Sequence, residues 1–69
     1  MTTDDAAARL IVIEIGLAQE AMVSASDLVA EKDWTYVALR LMDAEDRIAN
    51  AKDAAKILLR AREIAGRHP

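Results

Sequence analysis

Glu14 is the only charged residue between Arg9 and Glu20, and it sits within the apolar run from Leu10 to Ala18. On a helix it falls among Leu10, Ile11, Leu17, Ala18 and Ala21, where a desolvated carboxylate can ligate a cation or accept a proton. The plainer expectation is an ion pair with Lys52 of a returning helix or with a base of a second subunit, because unpaired buried charge is costly. Other constellations fall short of chemistry. Asp43 and Asp46 share a helix face but have no nitrogen or sulfur ligand beside them. No Glu is followed three residues later by His, the pairing that di-iron helical bundles use. Ser24 and Ser26 lack an internal histidine to act as base, and His68, the only histidine, follows Gly66 at the end of the chain, where a frayed terminus cannot hold a preorganised site. No glycine-rich phosphate loop occurs. The expectation is a chain that is not an enzyme and takes no metal or cofactor.

Composition bounds what can position any site. The 69 residues contain no Cys, no Phe, one Trp and one Tyr, while alanine is abundant and only Gly16, Gly66 and Pro69 can break a helix. That is the composition of an all-α chain, one domain spanning 1–69 and too short to build a self-sufficient core readily without disulfides, metal or a partner subunit. A net charge of −3 and a pI near 4.9 argue against a general nucleic-acid binder and suit a cytoplasmic protein. The longest apolar run is about half of what a membrane span needs, and the acidic start does not read as a secretory signal.

The charged stretch Glu31-Lys32-Asp33 divides two helical patterns that do not share a register. Before it, apolar residues recur as Ala8, Ile11, Ile15, Ala18, Met22, Ala25 and Val29; after it, the stripe restarts at Trp34 and Val37 and continues through Leu41, Ala44, Ile48, Ala51, Ala55 and Leu58. One straight helix would extend the first stripe through Lys32, Tyr36, Leu39, Asp43, Asp46, Asn50 and Asp53, which are mostly polar, so the chain must turn. The pattern predicts a helix over about 4–30, capped by Thr2 with Asp5 three residues on, a turn over 31–33, and a helix over about 34–65, with Asp33 as its N-cap and Gly66 as its stop. Gly16 is expected to mark a close approach. Asp43–Arg47 and Glu63–Arg67 are expected i,i+4 ion pairs.

Folded back as an antiparallel hairpin, the two stripes pair as Val29/Val37, Ala25/Leu41, Met22/Ala44, Ala18/Ile48, Ile15/Ala51, Ile11/Ala55 and Ala8/Leu58, mostly alanine against a large side chain. Such a seam returns less than the entropy of ordering some sixty residues. A second apolar line is left outside it: Leu10, Leu17, Ala21 and Leu28 on the first helix, Ala54, Ile57, Ala61 and Ile64 on the second. This line is expected to be a homodimer interface that completes a four-helix bundle. The arrangement is similar to that of the small RNA-binding plasmid regulator Rop, an analogy of architecture without a shared motif.

Binding is then the expected work. Trp34 and Tyr36 beside the turn, with Ile13 and Leu39, are candidate partner-binding residues, the aromatics serving either as interface anchors or as a cap on the bundle end. The resulting expectation is a homodimeric regulator or inhibitor, of bacterial or phage type, that binds another protein. The alternatives are a Rop-like RNA or DNA adaptor, with Lys52, Lys56, Arg60 and Arg67 following a phosphate backbone, and a purely structural assembly protein.

Overall fold

The computed structural model describes residues 2–67, with the side chains of 2–66, and His68 lies outside this range. Two helices, α1 (Thr3–Ala30) and α2 (Trp34–Arg67), pack antiparallel as a hairpin. Thr2 caps α1 reciprocally with Asp5: the Asp5 amide donates to Thr2 Oγ1 (3.2 Å) while the Thr2 amide donates to an Asp5 carboxylate oxygen (3.4 Å). At the other end the chain reverses in three residues. The Lys32 amide donates to the Val29 carbonyl (3.0 Å) and the Asp33 amide to the Leu28 carbonyl (3.3 Å), a Schellman arrangement with Lys32 in the left-handed region at φ 57°. Asp33 ends one helix and starts the next, since its Oδ1 accepts the Tyr36 amide (3.3 Å) and its carbonyl accepts the Val37 amide (3.0 Å). The α2 helix runs through Gly66 to Arg67, beyond the expected stop, because one glycine in a last turn costs only about 1 kcal/mol.

Burial places the seam one step away from the expected stripe. Along the seam the buried or half-buried positions are Ala7, Ile11, Glu14, Ala18, Ala21, Ala25 and Leu28 on α1, and Val37, Ala44, Arg47, Ala51, Ala54 and Leu58 on α2; Gly16, Leu17, Ser24 and Asp43 are also half-buried, off this line. Both sets alternate steps of three and four, with Arg40 filling the α2 gap in sequence though its side chain is exposed. In antiparallel order they align Leu28 with Val37, Ala21 with Ala44, Ala18 with Arg47, Glu14 with Ala51, Ile11 with Ala54 and Ala7 with Leu58. Ala18, Ala25, Ala44 and Ala51 therefore serve as expected. Ile15, Met22, Val29, Leu41 and Ile48 do not: they stand on one shoulder, 43–50 % exposed. Small residues win the centre because alanine lets the helix axes approach, and larger side chains are displaced to the rim. Ala21 and Ala54, expected at a dimer interface, are covered by the chain's own other helix.

Glu14 is buried (7 % exposed) and accepts a charge-assisted hydrogen bond from Arg47 at 3.4 Å. Lys52, the expected partner, lies outside the seam in this register, whereas Arg47 is in it one turn along and reaches across. Asp43 holds Arg47 from the other side at 3.7 Å, the expected i,i+4 pair. Gly16 marks no close approach, since a Cβ built there meets nothing within 4 Å.

Candidate interaction surface

The hairpin measures 58 × 20 × 11 Å over its Cα atoms, a slab one helix thick, so both broad faces meet water. Reversing one helix reverses its sense of rotation, which puts equivalent shoulder positions of α1 and α2 on the same face. One face carries Ile15, Met22 and Val29 from α1 and Trp34, Leu41 and Ile48 from α2, an aliphatic flank whose members are each 43–61 % exposed. By level along the axis they interleave as Trp34, Val29, Leu41, Met22, Ile48, Ile15, a continuous stripe. Its outer rim carries Asp5, Glu45, Lys52 and Arg62, two acids and two bases.

The opposite face is chemically different. It presents Leu10, Ile13, Tyr36, Leu39, Ile57 and Ile64, all exposed, with Leu17 half-buried. Among them stand Glu20, Asp27, Asp43, Asp46 and Asp53, against Arg60 and the Arg47 that pairs with Asp43, among the described side chains. This acidic flank holds three of the four candidate partner-binding residues, Ile13, Tyr36 and Leu39. Trp34 is separated from them because two residues along a helix are about 200° apart around it. Tyr36 and Trp34 thus belong to different faces, and both are exposed, at 54 % and 61 %. Of the expected dimer line, Leu10, Ile57, Ala61 and Ile64 are exposed and Leu17 and Leu28 half-buried.

Sequence reasoning missed the aliphatic flank as a surface, and Arg47 as the partner of Glu14. A usable signal was present: the register that places Ala21 and Ala54 at the centre puts the smallest side chains at closest approach.

Among the described residues no group of three or more His, Cys, Asp and Glu is arranged to hold a metal ion, and no helix is long and apolar enough to cross a membrane. Two open depressions follow the outside of α1 alone, one along Gly16, Glu20 and Asp27, the other along Ala8, Val12 and Ile13. The fold is an all-α antiparallel helical hairpin. No protein-family model, curated protein or solved structure matches the chain.

Proposed function

We propose that this chain is a non-enzymatic interaction module: two hairpins associate into a four-helix bundle, and the dimer binds another protein and modulates it through the acidic flank. One observation carries the reading. The buried apolar residues are all alanines (Ala18, Ala21, Ala25, Ala44, Ala51 and Ala54), while sixteen large apolar side chains among the described residues remain exposed. A chain that hides only its smallest apolar residues has its main burial still to make, and helix faces of this kind bury against other helices. Tyr36 and Leu39, rimmed by carboxylates, suit a basic amphipathic segment on the partner. In sequence Lys52, Lys56, Arg60 and Arg67 are interrupted by Asp53 and Glu63, which disfavours tracking of a nucleic-acid backbone.

The test compares wild-type and Tyr36→Ala baits in capture from the native host. An aromatic anchor is worth 2 kcal/mol or more on truncation, about a thirtyfold loss of affinity, so a partner held by the wild type and released by moderate salt should be lost by the variant. Helicity and dimer mass should not change. A partner retained by Tyr36→Ala places the binding face elsewhere.

A further inference from the structure

The structure assigns an occupant to the aliphatic flank: we propose that Ile15, Met22, Val29, Leu41 and Ile48 are covered by the same flank of a second copy, related by a twofold axis. This rests on the dimeric reading above and fixes which face performs it.

Size gives the first argument. The chain exposes 5535 Å², whereas a compact protein of its 7.5 kDa exposes about 4,200 Å². Its radius of gyration is 16.2 Å against about 11 Å for a compact chain of this length. Two hairpins merged into one compact 15 kDa body would expose about 7,000 Å², so association buries on the order of 4,000 Å² in all, within the range of obligate homodimers. The broad face of a slab 58 by 20 Å is the surface on which burial of this scale is available.

Charge decides between the two broad faces. A twofold axis sets each face against itself. Joining acidic flanks would set a face carrying Glu20, Asp27, Asp46 and Asp53 against a second copy of itself, with Asp43 already paired to Arg47 and Arg60 as the further base among the described side chains. The aliphatic flank is self-compatible, because Asp5 and Glu45 are balanced by Lys52 and Arg62 at its rim while its centre is apolar from Trp34 to Ile15. It also completes the packing logic of the seam. Side chains too large for the alanine-lined centre of one hairpin are the right size to fill the wider space between two.

The absence of cysteine allows a direct test. Single cysteines replace Met22, Ile48, Ile57 and Val23 in turn, and each variant is treated with a short thiol–thiol cross-linker alongside light scattering of the wild type. Met22→Cys and Ile48→Cys, on the aliphatic flank, should give at least tenfold more covalent dimer than Ile57→Cys on the acidic flank or Val23→Cys on the outside of α1. In parallel, Ile48→Glu should dissociate the dimer and Ile57→Glu should not. If Ile57→Cys cross-links as well as Met22→Cys, the face is wrong although the dimer stands. A monomeric, cooperatively folded wild type at micromolar concentration overturns the dimeric reading and this assignment with it.

Discussion

Arg47→Met should destabilise the hairpin far more than an exposed arginine is worth, and a second substitution should restore what it loses. At 3.4 Å, opposite unit charges in a medium of effective dielectric near 20 attract by about 5 kcal/mol before desolvation is counted. Stripping water from Glu14, 7 % exposed, offsets most of that, so the intact pair is close to neutral. Removing the arginine abolishes the attraction and leaves the desolvated carboxylate. Breaking a fully buried pair costs about 3–5 kcal/mol, and the 37 % exposure of the Arg47 side chain, which lets water in, lowers the expected loss to about 2–3 kcal/mol. Glu14→Leu with Arg47→Met replaces the pair by apolar groups of similar volume and should return stability to the wild-type level or above. The assay is denaturant unfolding followed by helicity, for wild type, both single variants and the double variant at one fixed protein concentration, since a dimer's midpoint depends on concentration. Additive single effects, with Arg47→Met near zero, would mean that Glu14 is hydrated and that the seam does not enclose it.

Other substitutions probe the remaining architecture. Ala51→Leu should overpack the layer beside Glu14 and cost about 1–3 kcal/mol, whereas Ala49→Leu on the exposed side should change the unfolding midpoint by less than about 0.5 kcal/mol; equal effects would put the seam elsewhere. Gly16→Ala should stabilise by about 0.5–1 kcal/mol, because the added methyl meets nothing and a helix-interior glycine carries an entropic cost; a loss of stability would place an unseen neighbour there. Asp33→Ala should cost about 1 kcal/mol by leaving the Tyr36 amide without its cap, detectable as a lowered unfolding midpoint, and Asp33→Asn should recover most of it.

Local chemistry was legible in the sequence because it acts over three or four residues. Thr2 with Asp5 specifies a reciprocal cap, Asp33 specifies an N-cap, and the phase break between the two apolar stripes forces a reversal at 31–33; each is satisfied within one turn of helix, whatever packs against it. The choice of seam is of another kind. On each helix two neighbouring stripes, one through Ile15 and Met22 and one through Glu14 and Ala21, both satisfy the helical period, and hydrophobicity favours the first. The tertiary structure takes the second, since two helices approach most closely where Ala18, Ala21, Ala44 and Ala54 face inward, and the Glu14–Arg47 pair compensates for placing a charge there. That single rotation turned Met22 and Ile48 from core into surface and gathered Glu20, Asp27, Asp46 and Asp53 onto one face. Neither of these follows from the composition of either helix, because each depends on which side of one helix the other occupies.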